Sequence, residues 1–494
     1  MSRLNTWKTM IFLCIFCALP PVASHAQTFT DLLNFNQADG GVPFGGVVQG
    51  IDGSFYGTTS TNGAHGSGTV FKILSSGKLT TLHSFCAQKK CPDGTYPIAG
   101  LVQATDGELY GTTEGGGTNN SGTVFQITAA GQLTTLYSFC SKSGCADGVY
   151  PYARLVQATD GNFYGTTTYG GGIAGTNCSV LGCGTVFQIT AAGQLTTLYR
   201  FCSQANCTDG FFPEAGLVQG IDGNLYGTTR AGGANNAGTV FQITAAGQLT
   251  TLYSFCFRTG CTDGFYPEAG LVRGANGNFY GTTEAGGDNA AGTVFEITTA
   301  GQLTTLYSFC SRTDCTDGEN PVADLVKATD GNFYGTTSLD GVNFAGTIFE
   351  ITPAGQLTTL YTFCSQTGCT DGAIPRAGLI QATDGKFYGT TSVGGAGKGH
   401  TMAGSIFSLD VGLGPFVKTL PASGTVGTPV KILGNQLQGA TGVTFNSTPA
   451  TFNVIGATEI TTTVPSGATT GGVTVTTPSG TLSSNGIFHR GRRS

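Results

Sequence analysis

A Tyr-Gly-Thr-Thr tetrad recurs seven times, beginning at Tyr56, Tyr110, Tyr164, Tyr226, Tyr280, Tyr334 and Tyr388. The spacing is 54 residues five times and 62 once, the longer one reflecting an eight-residue insertion in the third copy around Cys178 and Cys183. A fixed period of this length marks each copy as one supersecondary unit that buries its apolar face only by stacking on its neighbours. A chain built this way is an array, and the open question is whether the array is a solenoid or a ring.

Each copy holds four short strand candidates, a to d; in the second they are Leu101 to Thr105, Glu108 to Thr113, Thr123 to Thr128 and Leu133 to Phe139. Strands a and b are joined by Asp106-Gly107, a tight-hairpin pair in which both residues tolerate positive φ. The same turn is Asp-Gly in six copies and Asn276-Gly277 in the fifth. Gly is 80 of 494 residues without a Gly-X-Y period, and no stretch of the array has a sustained 3.6-residue apolar period, so no helix is expected.

Four antiparallel strands per copy fit a propeller blade. The chain ends favour a ring over a solenoid. Thr28 to Phe35 matches strand d yet precedes any strand a, and the seventh copy has a, b and c but no d. Pairing these two ends removes two exposed strand edges. The expected fold class is all-β: a seven-bladed β-propeller over residues 27–411 closed by the N-terminal strand, then an immunoglobulin-like β-sandwich.

The repeat resembles the GloVer tandem repeat of exported bacterial proteins. The likeness rests on Gly161-Asn162-Phe163-Tyr164-Gly165-Thr166-Thr167 and Gly184-Thr185-Val186-Phe187 and covers all seven copies. That family has no assigned biochemical activity, so the resemblance implies export and repeat architecture only. After a Gly/Pro linker at 412–415, the segments Pro421 to Val430 and Val464 to Gly471 resemble an IPT/TIG domain over 416–488. Residues 489–494 are expected to be a solvated basic tail.

Residues 1–26 read as a secretory signal: Arg3 and Lys8, an apolar run from Met10 to Leu19, and Ser24-His25-Ala26 at the cleavage site. Its removal takes away the only Trp, Trp7, and leaves a net charge near −8. A secreted or cell-surface location follows, with no membrane span after processing. A mildly acidic chain without a basic stripe is not expected to bind nucleic acid; a monomer is expected.

The fourteen remaining cysteines fall in Cys-x4-Cys pairs: Cys86-Cys91, Cys140-Cys145, Cys178-Cys183, Cys202-Cys207, Cys256-Cys261, Cys310-Cys315 and Cys364-Cys369. The loop after Phe35 lacks both members together, as local disulfides require, and export supplies the oxidising compartment. Blades should hold the pairs apart around the ring, which disfavours a zinc site. Asp106, Asp93 and their equivalents offer one carboxylate per loop, short of the six to eight oxygens calcium takes. No metal or cofactor is expected.

The disulfide loops and the b–c loops share one face, and loops carry function more readily than the scaffold beneath them. The residues that differ between copies there are Glu114, Tyr152, Arg154, Glu214, Arg230, Glu268, Glu284, Asp324 and Arg376, expected around the channel mouth. They are the candidate binding residues for an unidentified surface glycan or protein. Glu214 and Glu268, at matching positions of consecutive copies, and His65 with His400, on b–c loops of the first and last copies, are the candidates for an enzyme. That alternative is a polysaccharide- or lactone-type lyase or hydrolase on the same face. Near-identity of the copies favours binding over catalysis.

Overall fold

The computed structural model describes residues 27–172, 178–395 and 403–491. The expected leader at 1–26 and residues 492–494 of the expected basic tail lie outside the described residues. The chain is all-β, with repeated four-stranded antiparallel sheets consistent with a propeller, followed by a sandwich. In the second copy the strands are Val102–Gln103, Leu109–Thr113, Thr123–Ile127 and Leu133–Ser138, paired in chain order. Strand a is shorter than the sequence pattern indicates, because only two residues pair before the Asp-Gly turn begins.

Strand b is buried along its whole length in every copy, because neighbouring sheets cover both of its faces. The tetrad explains itself here. A Cβ on Gly111 would sit 2.6 Å from the Phe125 ring and 2.7 Å from Leu101, so only glycine fits between them. Tyr110 is buried, and its hydroxyl donates to Asp106 Oδ2 at 2.7 Å while the Glu108 N–H donates to Asp106 Oδ1. The turn aspartate thus shapes the hairpin and satisfies the tyrosine. In the fifth copy, where Asn276 replaces it, Tyr280 donates to Glu296 instead.

Apolar clusters lie between consecutive sheets; one joins Tyr56, Val70 and Phe85 of the first copy to Leu101, Leu109 and Phe125 of the second. A matching cluster joins the seventh copy to the first, with the Phe55 and Tyr388 rings 4.1 Å apart. Thr28–Asn34 pairs antiparallel with Ser405–Asp410 as the outer strand of the last sheet. A second link runs along the turn face. The Gln in strand a accepts, at 2.9–3.0 Å, an N–H from the turn of the copy before it: Gln103 from Ile51, Gln157 from Thr105, Gln219 from Thr159, Gln381 from Thr329 and Gln49 from Thr383. Two copies lack this Gln and carry Arg273 and Lys327.

The C-terminal sandwich packs two four-stranded sheets around Val430, Ile432, Val443, Phe445, Ile460, Val473 and Val475. It sits against the a–b turns: Phe416 N–H donates to Thr383 O, and the Asn485 amide donates to Lys327 O at 3.2 Å. Three expectations are corrected. His489–Arg490 is not a solvated end but a strand paired parallel with Ser423–Gly424 in a two-stranded sheet of its own. Among the described residues five three-residue 3₁₀ turns occur where no helix was assigned, each ending at the second cysteine of a disulfide loop, as at Thr259–Cys261. The cysteine pairs are not all held apart: the sulfurs of Cys178, Cys183 and Cys202 lie within 4.8 Å, because the third copy's insertion and the loop after its strand d share one face.

Candidate functional site

All seven Cys-x4-Cys pairs are disulfide-bonded. Beneath the fifth lies the buried Asp263, whose carboxylate accepts from Tyr253 Oη at 2.7 Å and from the N–H groups of Phe257 and Arg258. The second aspartate set is therefore a tie between strand d and its loop. His83, which replaces the tyrosine in the first copy, meets Asp93 at 2.9 Å in the same role.

After each tie the chain runs to a proline. The residue before it holds φ of 55–58° in all seven places: Val42, Tyr96, Tyr150, Phe212, Tyr266, Asn320 and Ile374. Left-handed backbone is costly for bulky and β-branched side chains and persists only where surrounding bonds over-determine it. Here they do. Phe212 O accepts from Arg230 N–H and Tyr266 O accepts from Glu284 N–H. Each such bond sets the residue after the tetrad beside the residues flanking the proline.

That geometry gathers charges from different copies. Arg230 donates to Glu268 Oε1 at 2.5 Å and lies 3.4 Å from Glu284 and 3.8 Å from Glu214, with its guanidinium over the Tyr266 ring at 4.9 Å. One guanidinium thus serves three carboxylates. Burial, then the charge of Glu268, pushes the Glu214 carboxyl up to about 7. Burial also raises Glu284 and Glu114. Tyr152 is pushed up to about 12 by burial and by the fields of Glu114, Glu214 and Glu268.

A second pair crosses the centre. Arg154 and Asp324 stand where the other copies have glycine at the start of strand a, and their charged atoms meet at 3.5 Å. Asp324 Oδ1 also accepts the Gly270 N–H at 2.6 Å. Glycine suits the remaining positions because neighbouring strands approach closely; a Cβ on Gly46 would lie 2.7 Å from Gly378 O.

Tyr152, Arg154, Glu214, Glu268, Asp324 and Arg376 line one cavity of about 530 Å³. Glu114, Arg230 and Glu284 stand outside its lining, and Arg376 lies over Phe44 at 5.9 Å rather than joining the carboxylates. His65 is exposed on its loop, and His400 lies outside the described residues. Glu214 and Glu268 are brought together, but around Arg230, so neither is a bare carboxylate.

At the other end, the same cavity is lined by Lys327, Gln381, Lys418 and Asn485. The Lys418 stem is partly exposed while its ammonium is enclosed, donating to Gln381 O at 2.5 Å; desolvation lowers its pKa to about 8. The sequence reading missed this end. Its one available signal was the loss of the strand-a glutamine at Lys327.

No curated protein matches the chain. Among solved structures, the extracellular domain of a provisionally named one-component system from B. thetaiotaomicron aligns at TM-score 0.49 and 10% identity, over 94% of this chain and 57% of that one. A provisionally named 6-phosphogluconolactonase from Bacteroides uniformis aligns at 0.41 and 14%, over 64% and 83%. The PQQ-bound aldose sugar dehydrogenase from Streptomyces coelicolor aligns at 0.38 and 13%, over 78% and 99%. These scores carry no inference about activity. The IPT/TIG profile matches residues 416–489. The Gloeobacter/Verrucomicrobia repeat matches residues 19–178, 173–325 and 256–452, and the chain belongs to that family.

Proposed function

We propose that the repeats close into a seven-bladed ring over residues 27–411, joined through 412–415 to the sandwich, and that this exported, non-enzymatic protein binds a surface glycan or protein through its disulfide face. The pairing of Thr28–Asn34 with Ser405–Asp410 and the Gln49–Thr383 bond support closure. Seven local disulfides favour an oxidising, extracellular setting. Among the described residues no helix is long and apolar enough to cross a membrane.

One observation carries the binding assignment: six residues that differ between copies converge on one cavity. A few polar groups converging on a concave site are the usual mark of ligand recognition. Tyr152 beside Glu214 and Glu268 in the cavity lining suits a polyhydroxylated ligand, whose hydroxyls donate to the acids while its apolar face meets the ring. A glycan array probed with the processed chain tests this. Binding lost in Arg154→Ala and Glu268→Ala supports it; a blank array with unaffected protein overturns it.

A second reading is favoured by Glu214, whose elevated pKa fits a general acid. It makes the protein a polysaccharide- or lactone-type lyase or hydrolase. Turnover on the same ligand panel, abolished by Glu214→Gln, establishes the enzyme and removes the binding-only reading.

A further inference from the structure

The face opposite the disulfides holds a second site with the opposite charge. The sandwich does not lie flush on the a–b turns. Between them is a cleft of about 1020 Å³, lined on one side by turns of the second to fifth copies and on the other by Leu420–Thr425 and the terminal strand. Among the described residues its ionisable lining is Arg273, Lys431, His489 and Arg490, with no carboxylate. In a chain of formal charge −6 such a segregation is a local reversal of the protein's field.

The acids of the flanking turns hold hydrogen bonds within their own copies, as Asp106 does with Tyr110 and the Glu108 N–H. Asp160 and Asp222, in the flanking turns, accept from Tyr164 and Tyr226 and from Asn162 and Asn224. In the fifth copy, beside Arg273, the turn acid is absent because Asn276 takes its place. Arg273 forms no ion pair among the described residues. Its Nη2 donates to His489 Nε2 at 3.1 Å, which leaves the histidine neutral with its proton on Nδ1. Desolvation lowers the Arg273 pKa, as burial does for a half-buried cation without an ion-pair partner.

Arg273 also breaks the repeat. Five copies keep a glutamine there that clamps the preceding turn, whereas Arg273 forms no such clamp with Ile221. The substitution exchanges an inter-copy bond for a positive charge facing the cleft. The walls are otherwise hydroxyl- and glycine-rich, with Thr105, Thr159, Ser423 and Thr428 beside Ile221, which is 71% exposed.

We propose that this interdomain cleft binds an anionic glycan chain, its carboxylate or sulfate groups held by Arg273, Lys431 and Arg490 and its hydroxyls by the threonine walls. Planar guanidinium groups match both anions in a bidentate fork. This site is independent of the disulfide face and stands or falls separately.

The test is calorimetric titration of the processed full chain with oligogalacturonate and with a sulfated oligosaccharide, using neutral cello-oligosaccharide as the control. At least one acidic oligosaccharide binds, with affinity falling as salt rises, and whichever binds identifies the anion. Arg273→Gln and Lys431→Ala each weaken binding at least tenfold, while Lys89→Ala, at an exposed lysine of a disulfide loop, leaves it unchanged. Arg273→Gln restores the repeat's own residue, so loss of binding with an unchanged melting temperature is not a folding defect. Binding of the acidic sugars that survives both Arg273→Gln and Lys431→Ala, no binding of either acidic one, or tighter binding of single-stranded DNA or polyphosphate overturns the proposal.

Discussion

The two faces of the repeat array are built from the same copies and end in opposite chemistry. The disulfide face gathers Glu214, Glu268 and Glu284 around a single Arg230 and lies open. The turn face gathers Arg273, Lys431 and Arg490 without a lining acid among the described residues and lies under the sandwich. Each face is anchored by an aspartate–tyrosine bond repeated along the chain: Asp222 with Tyr226 at the turns and Asp263 with Tyr253 under the disulfides. The contrast teaches where variation is tolerated. The anchors recur because the core depends on them, and charge is free to diverge only beside them.

The largest effect should come from the turn-face anchor. Tyr226 is 0% exposed and its ring lies 4.2 Å from that of Phe279. Tyr226→Ala should cost about 3–5 kcal/mol in urea unfolding. A near-zero loss would break the claim that the repeated tyrosines are scaffold. On the other face, Asp263→Ala strands three donors under a disulfide loop and should cost about 2–4 kcal/mol. Asp263→Asn keeps one acceptor oxygen and should recover part of the loss; no recovery would show that both carboxylate oxygens are required.

Replacing Cys256 and Cys261 by Ala should cost about 2 kcal/mol if the bridge acts by closing a short loop in the unfolded chain. Non-reducing peptide mapping should find only local bridges; one between distant copies would undo the pairing.

The acidic cluster should be visible in the pH dependence. Glu214 has its folded pKa raised from 4.5 to about 7, so folding favours its protonated form. Its contribution is fully present below about 4.5 and is lost as pH rises through about 7. The full shift corresponds to roughly 3 kcal/mol; with solvent screening of the partly exposed carboxylate, thermal melts should show roughly 1–2 kcal/mol lost across that window, and Glu214→Gln should flatten it. The smallest effect belongs to Arg273→Gln, which should leave stability within about 1 kcal/mol of the parent while removing the cleft's half-buried cation.

Much of this was legible in the chain. The strand positions followed from a strict period, and the pairing of Thr28–Asn34 with Ser405–Asp410 followed from a copy that lacked its last strand. The disulfides followed from cysteines gained and lost in pairs. The site was legible only as a set of names. Glu214, Arg230, Glu268 and Glu284 span seventy residues of sequence, and nothing local says that one arginine serves all three acids. His489 read as the start of a tail because strand pairing with Ser423–Gly424 is a contact across more than sixty residues.

By itself, then, the sequence determined the unit, its repetition and its internal bonds, since these depend on residues a few positions apart: Asp106 with Tyr110, Cys256 with Cys261. Only the tertiary structure decided which copies face one another across the cavity, as Arg154 and Asp324 do. It alone decided that the sandwich covers the turn face. Those outcomes depend on distances between surfaces that the chain brings together only after every local unit has formed.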